Sequence, residues 1–198
     1  MIVRRRTAAL LFVLVTGEPD KNYAKETMGM NVKKIARLGL LTAIALTIFL
    51  VEAQIPPLVP IPGVKLGLAN IVTVFTVFTM GPAAGAEVLF ARIFLGSVFG
   101  GNFGAILYSA AGGALAIGTT IGLRRVLTAK QLWVAGCLGA VAHSIGQMTM
   151  AVAVTGTPMV LVYLPVMVVI SVITGLFTGL CAQFLVNRGK DLWKTFLK

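Results

Sequence analysis

The sequence has few charged residues for a chain of its length. Charged residues make up 12% of the 198 residues, hydrophobic residues make up 58%, and the mean hydropathy is +0.95. A soluble domain usually carries about 25% charged residues. The composition therefore excludes an ordinary soluble protein, and the apolar runs leave no room for a second, soluble domain. It predicts an integral membrane protein.

Residues that commonly carry catalysis or bind metals are also scarce. The two aspartates, Asp20 and Asp191, lie outside the apolar runs and far from other carboxylates. The sequence has no paired carboxylates, no Asp-rich magnesium motif and no phosphate-binding loop of the GxxxxGK type. One histidine and the isolated Cys137 and Cys181 argue against a zinc site or a disulfide framework. We therefore expect no catalytic site, no metal and no cofactor.

The formal net charge of +11 lies at the ends of apolar segments and not on a face interleaved with aromatic residues. This distribution argues against nucleic acid as a partner and is typical of topology signals in a lipid bilayer. With a cytoplasmic N-terminus, the inner segments hold the lysines and arginines near residues 33–37, 124–130 and 188–198, and the outer loops hold only Lys65. Both termini are therefore predicted to be cytoplasmic.

Six apolar segments are predicted to span the membrane, which takes about 20 helical residues per crossing. They cover residues 35–52, 64–80, 83–100, 103–123, 132–154 and 159–187. Pro82 suits the start of the third helix, and Pro165 predicts a kink or break near the start of the sixth. The predicted fold is an all-α membrane protein, a six-helix transmembrane domain in residues 30–198.

Residues 1–29 are predicted to be an N-terminal extension outside this domain. Their basic start and short apolar run resemble a signal peptide. The run is too short to span a bilayer, and cleavage after it would leave Lys33, Lys34 and Arg37 outside, against the charge bias. A start at Met28 or Met30 would remove the segment.

A proline-rich outer loop joins the first two predicted spans. Prolines 56, 57, 60 and 62 each fix φ and remove a backbone donor, so no helix runs through residues 56–63. Apolar backbone of this kind survives at membrane depth only where protein or a water-filled cavity satisfies its polar groups. The stretch is either a structured cap over a binding site or a tight turn between two spans.

Polar residues within or next to the spans are the candidate substrate-binding residues, because such groups normally face a bundle interior, a partner or water. The predicted set is Glu52, Lys65, Asn70, Arg92, Tyr108, His143, Gln147 and Tyr163. The helical rise per residue places Asn70, Tyr108, Gln147 and Tyr163 in the outer half of the bilayer, and Arg92 and His143 near its midplane.

Structural roles remain open for two members of this set. His143 shares a helical face with Gln147 and could simply hydrogen-bond between helices. Arg92 could pair with Glu52 or Glu87, or neutralise an anionic ligand.

Small residues recur at helical spacing, which lets helices approach closely in a bilayer. They are Gly39 and Ala43, then Gly112, Ala116 and Thr120, then Gly136 and Ala140, and finally Gly175 and Gly179. Most of these faces are predicted to be internal. Gly39 and Ala43 adjoin the basic cytoplasmic end and could either dock a partner helix or pack within the chain.

Several motifs together resemble a bacterial family, heptaprenyl diphosphate synthase component I, also called the Gx transporter family. They are Ile-Pro-Pro at 55–57, Ile-Pro-Gly-Val-Lys-Leu-Gly-Leu-Ala-Asn at 61–70, Arg92, Tyr-Ser-Ala-Ala-Gly-Gly at 108–113 and Ala-His-Ser-Ile-Gly-Gln at 142–147. The likeness covers about residues 33–187. Ser144 stands where the family pattern has Asn.

The family name implies a part in making the heptaprenyl chain of menaquinone, with the chemistry supplied by a partner because Asp-rich motifs are absent. The family is also similar to the substrate-binding S components of energy-coupling-factor transporters, six-helix proteins of the bacterial cytoplasmic membrane. Those proteins imply a small-molecule cavity in the outer half and a first helix that docks, through small residues such as Gly39 and Ala43, on a transmembrane coupling subunit served by ATPases. This second implication agrees with the depth of the polar residues and is preferred, without naming a substrate.

Overall fold

The computed structural model describes residues 21–55, 67–101 and 103–189. Within these residues the chain is helical and contains no strand. The helices are α1 (Lys21–Glu52), α2 (Asn70–Thr79), α3 (Pro82–Phe99), α4 (Ala105–Arg124), α5 (Leu132–Thr155), a 3-10 helix (Pro158–Tyr163) and α6 (Leu164–Arg188). The all-helical class predicted from the sequence is confirmed. The proline-rich loop predicted at 56–63 lies outside the described residues.

The chain divides into two compact units. The first, Met1–Gly39, is described from residue 21, where it consists of the N-terminal part of α1. The second, Leu40–Lys198, contains the rest of α1 and the other helices. The prediction that residues 1–29 form an extension stays a prediction, since residues 1–20 are not described and residues 21–29 belong to α1.

Glycine and proline set several helix boundaries where the sequence places them. Gly81 has a φ of 106°, and Pro82 follows it as the first residue of α3. Gly156 ends α5 in the left-handed conformation at a φ of 66°, which costs glycine little because it has no Cβ. Pro165 lies in the first turn of α6, directly after the 3-10 helix. The kink or break predicted near the start of the sixth span corresponds to a change from 3-10 helix to α-helix at Leu164, within one continuous helical stretch.

The second predicted span is shorter than expected. The sequence predicts a helix over residues 64–80, but residues 67–69 form a turn and α2 begins only at Asn70. Gly67, at a φ of 78°, is incompatible with a right-handed helix. Ten residues of α-helix cover about 15 Å, half of a hydrocarbon core of about 30 Å.

Glycines bring α4, α5 and α6 into backbone contact. A Cβ added to Gly146 of α5 would lie 2.6 Å from the Ala111 carbonyl oxygen of α4. A Cβ on Gly136 would lie 2.5 Å from the Cα of Gly179 in α6. The small-residue faces around Gly136 and Gly179 are therefore internal, as predicted, and close packing of this kind holds helices together in lipid.

The distribution of polar and apolar side chains is that of a membrane protein. Large apolar side chains such as Phe90 and Phe177 are 75% and 62% exposed, whereas Arg92 and Gln147 are at most 2% exposed. Five helices in the described ranges are long and apolar enough to cross a bilayer: Val32–Glu52, Pro82–Phe99, Ala105–Arg124, Leu132–Thr155 and the continuous stretch Pro158–Arg188. The shorter α2 is apolar as well.

Candidate ligand-binding site

One carboxylate ties the end of α1 to the start of α2. The backbone N–H groups of Gly67 and Leu68 donate to Oε1 and Oε2 of Glu52 at 2.6 and 2.9 Å. Glu52 is buried, so these charge-assisted hydrogen bonds offset part of the desolvation of its carboxylate. An anion beside the N-terminus of α2 is also favourable to the helix dipole. The structure thus gives Glu52 an anchoring role within the chain.

Gly67 brings Asn70 and His143 together. A Cβ on Gly67 would lie 3.0 Å from Nδ2 of Asn70 and 3.3 Å from Cδ2 of His143. The two side chains therefore pack against the Cα of Gly67 from α2 and from α5. Any residue with a side chain would push them apart and would also strain the backbone at this positive φ.

The start of α2 lies beside the middle of α5. His143 is one of the two middle residues of the 24-residue helix α5, and Gly67 lies against its ring. Asn70, three residues after Gly67, therefore begins α2 beside the middle of α5. Its predicted depth in the outer half of the bilayer stays a prediction. The N-terminus of the ten-residue helix α2, which carries a partial positive charge, lies inside the bundle.

Arg92 of α3 is buried in the same region. Its guanidinium lies 5.7 Å from the centroid of the Phe49 ring, a distance typical of a cation–π contact. It interacts electrostatically with Glu52 and with His143. Within the described ranges, however, no acceptor forms a hydrogen bond with Nε or Nη2 of Arg92.

Asn70 and Thr73 add further unmade hydrogen bonds. Both side-chain polar atoms of Asn70 and Oγ1 of Thr73 are buried and have no hydrogen-bond partner among the described residues. Other threonines on these helices donate to the carbonyl four residues earlier, as Thr76 does to Val72. Buried polar groups normally find partners, so this concentration of unpaired atoms marks α2 as a candidate site.

A small cavity of about 10 Å³ adjoins Asn70 and Thr73, close to the minimum space for one water molecule. Its other lining residues are Val74, Gly113, Ala116, Thr120, Gly136, Gly139 and Ala140. Small residues of α4 and α5 thus face the polar atoms of α2. We call Glu52, Asn70, Thr73, Arg92 and His143 the polar cluster.

A family model described as heptaprenyl diphosphate synthase component I matches residues 41–185, more than half of the chain. The chain belongs to this family. The matched region contains the whole polar cluster and excludes Gly39. No curated protein and no solved structure matches the chain.

Two of the sequence motifs, residues 108–113 and 142–147, meet at the contact between α4 and α5. A hydrogen bond joins the His143 side chain to the backbone of Gly112. A Cβ on Gly112 would lie 2.9 Å from Cγ of Gln147 and from Cε1 of His143. The glycine thus makes room for both side chains, and the predicted shared face of His143 and Gln147 is directed at α4.

Ser144 has a partner that accounts for a hydroxyl at this position. Its Oγ forms a 2.5 Å hydrogen bond with Oγ of Ser171 in α6, and Ser171 also donates to the Met167 carbonyl. Ser144 therefore links α5 to α6 and is directed away from the contact between α4 and α5.

Two other predicted binding residues, Tyr108 and Tyr163, lie elsewhere. Tyr108 is buried in an apolar cluster with Met148, Ala151 and Met167. Tyr163 lies in the 3-10 helix and is 40% exposed. Lys65 lies outside the described residues. Tyr108 and Tyr163 are thus not among the residues that the structure gathers around Asn70.

Both predicted docking residues of α1, Gly39 and Ala43, are exposed. A Cβ on Gly39 would have no heavy atom within 4 Å.

In the part of the chain that is described, no group of three or more His, Cys, Asp or Glu residues could hold a metal ion.

The sequence analysis did not identify Thr73, Gly67 or Phe49 as members of the site. Threonine in an apolar helix usually bonds to its own backbone, so Thr73 carries no distinctive sequence signal. Gly67 lies within the 61–70 motif, but a single glycine inside an apolar run does not by itself show that a helix begins after it. Phe49 resembles the many lipid-facing phenylalanines, and only its contact with Arg92 distinguishes it.

Proposed function

We propose that this protein captures a small molecule from the outer side of the bacterial cytoplasmic membrane. It acts as the substrate-binding subunit of an uptake transporter that partner subunits energise. The polar cluster at the start of α2 is the capture site.

The observation that carries this proposal is the burial of the Asn70 side chain without hydrogen-bond partners among the described residues. The side chain is 7% exposed, and neither of its polar atoms has a hydrogen-bond partner among the described residues. A buried, unpaired polar group costs about 1–3 kcal/mol. A bound molecule that pairs with the amide would recover this free energy.

The short length of α2 also supports the capture function. Transporters often build their sites from interrupted helices whose N-termini end near the bilayer midplane and face the substrate. Here Asn70 is the first residue of such a helix, opposite the centre of α5. The site would lie deep enough to exclude bulk water.

The proposed topology has six passes, the second of them at α2, and both termini in the cytoplasm. It rests on the basic residues of the inner loops, including the exposed Arg124, Arg125 and Lys130 between α4 and α5. A transmembrane coupling subunit with its ATPases would then meet α1 at Gly39 and Ala43.

The family description favours a second candidate, a membrane component of heptaprenyl diphosphate synthesis that supplies no catalytic group itself. That function predicts a binding surface for a soluble synthase on the cytoplasmic loops. The atoms of Asn70, Thr73 and Arg92 that have no hydrogen-bond partner among the described residues lie inside the bundle, so the capture function accounts for them better.

The test compares Asn70→Ala with Asn187→Ala in the full-length protein purified in mild detergent. Asn187 is the matched control, because its amide donates to the Ala129 carbonyl near the far end of α6. Mass spectrometry should find a co-purified small molecule in the wild type and in Asn187→Ala, and much less in Asn70→Ala. An affinity loss of about 1–3 kcal/mol is expected.

The absence of a co-purified small molecule would also have a physical explanation. The cavity beside Asn70 admits about one water molecule, and a trapped water could pair with the amide. Wild-type protein that carries no small molecule, with Asn70→Ala merely less stable, would show that the cluster is a hydrated structural centre and would contradict the capture function.

A further inference from the structure

We propose that the guanidinium of Arg92 binds an oxoanion, a carboxylate or a phosphate group, of the captured molecule. This inference rests on the proposed function and names the chemical class of its ligand.

The two unpaired donors of Arg92 lie on one edge of the guanidinium. Nε–H and one N–H of Nη2 are parallel, and together they match the two oxygens of a carboxylate or a phosphate. Neither nitrogen has a hydrogen-bond partner among the described residues, and Arg92 is 2% exposed. A neutral carbonyl would fill only one of the two positions.

Glu52 supports the charge of Arg92 without occupying this edge. The two carboxylate oxygens of Glu52 accept the backbone N–H groups of Gly67 and Leu68. The electrostatic attraction of Glu52 offsets part of the free-energy cost of burying the charge of Arg92. The donor edge of Arg92 therefore remains available for a second anion.

A comparison with Arg188 shows that the phenylalanine contact does not explain the burial of Arg92. Arg188 lies 5.9 Å from the Phe184 ring, nearly the same distance as between Arg92 and Phe49. Arg188 is exposed at the end of α6, where water can solvate its N–H groups. The same contact needs no burial, so the burial of Arg92 requires another reason.

The start of α2 provides a second, independent group that favours an anion. The amide of Asn70 offers two N–H donors at the first residue of this helix, and its Nδ2 has no hydrogen-bond partner among the described residues. The partial positive charge of the helix N-terminus acts in the same direction. Together with Arg92, these groups offset the repulsion that Glu52 would exert on a bound anion.

The test uses three aromatic probes of similar size, benzoate, phenyl phosphate and benzamide, with the full-length protein in detergent at constant ionic strength. Thermal unfolding reports binding, because a ligand that binds the folded state raises the melting temperature with its concentration. Benzoate or phenyl phosphate should stabilise the wild type, and benzamide, the neutral analogue of benzoate, should not. The stronger of the two anions identifies the class of oxoanion.

Arg92→Lys and Arg188→Lys form the matched pair of variants. Lysine keeps the charge but loses the two-donor edge, so Arg92→Lys should weaken binding of the preferred anion at least tenfold. Arg188→Lys should bind it like the wild type. Should Arg92→Lys fail to fold, benzamide that stabilises the wild type as well as benzoate does would still overturn the proposal.

Three results would overturn the proposal: no stabilisation by either anion, equal stabilisation by benzamide, or equal binding to a folded Arg92→Lys variant. If the anions fail while a neutral molecule co-purifies and is lost from Asn70→Ala, capture stands and oxoanion recognition fails. If benzoate binds through Arg92 but no molecule co-purifies through Asn70, the oxoanion site stands and the capture function fails.

Discussion

The Glu52 carboxylate accepts a 2.6 Å hydrogen bond from the backbone N–H of Gly67, a residue fifteen positions further along the chain. This bond and its neighbour from Leu68 fix the start of α2 relative to the end of α1. The position of Asn70, and with it the geometry of the polar cluster, depends on this connection.

Replacing Glu52 with Gln should therefore destabilise the protein. Glutamine retains one acceptor oxygen but loses the charge and the second acceptor, and hydrogen bonds to charged groups contribute about 1.5–3 kcal/mol. We expect the free energy of unfolding to fall by about 2 kcal/mol in detergent. Glu87→Gln, at an exposed position on α3, is the control and should change stability by less than about 0.5 kcal/mol. Equal losses in both variants would exclude an anchoring role for Glu52.

Gly67→Ala and Gly101→Ala separate backbone strain from side-chain packing. Both glycines have a positive φ, 78° and 63°, so both variants carry a strain of roughly 1–2 kcal/mol. Only at Gly67 would the new Cβ crowd Asn70 and His143, since a Cβ on Gly101 has no heavy atom within 4 Å. We expect Gly67→Ala to have the lower melting temperature and to lose any co-purified molecule. Similar behaviour of the two variants would show that the packing around Gly67 is unimportant.

Gly136→Ala and Gly118→Ala should shift stability in opposite directions. A Cβ on Gly136 would overlap the backbone of α6 at Gly179, and overpacking typically costs about 1–3 kcal/mol. Gly118 is exposed on α4 with nothing near its Cα, and alanine is favoured over glycine in a helix by about 1 kcal/mol. Thermal unfolding of the two variants measures the difference. A stable Gly136→Ala variant would contradict the close contact between α5 and α6.

Single cysteines at Thr157 and Thr128 test the orientation in the membrane. Both positions are exposed, at opposite ends of α5. In intact cells, in a background without Cys137 and Cys181, an impermeant thiol reagent should label the cysteine at 157 and not the one at 128. Labelling at 128 from outside would reject cytoplasmic termini.

The docking face of α1 can be tested by replacing Gly39 and Ala43 with Leu. Both residues are exposed, so added bulk should leave the fold intact while preventing close approach of a partner helix. Co-purification of a partner membrane subunit should then be lost. Leucines at Gly118 and Gly122, exposed on α4, form the matched control and should leave co-purification unchanged. Misfolding of the α1 variant would place that face inside the bundle.

Local chemistry was enough to predict most helix boundaries. Gly81, Pro82 and Pro165 act through their own backbone geometry, so their effects do not depend on the rest of the fold. The packing glycines, such as Gly136, were also predictable, because lipid gives helices little reason to associate except through close contact.

The true length of α2 was not predictable in the same way. Hydropathy continues across residues 64–80, and one glycine within an apolar run does not reveal where the helix begins. The start at Asn70 follows from distant contacts, the hydrogen bonds to Glu52 and the packing of Gly67 on His143. Asn70 and Arg92 were predicted to bind a ligand because they are polar and lie in apolar helices, and this stays a prediction. The absence of hydrogen-bond partners for their side chains among the described residues became visible only in the structure.

The placement of Arg92 also bears on how the chain enters the bilayer during synthesis. Arg92 lies near the middle of α3, and a central arginine raises the insertion free energy of a helix by about 2.5–3.5 kcal/mol. The carboxylate that compensates this charge belongs to α1, which the ribosome delivers earlier, whereas His143 on α5 follows later. Helix α3 is therefore expected to leave the translocon together with α1 and not as an independent segment, so the residues that form the site would also set the unit of membrane insertion.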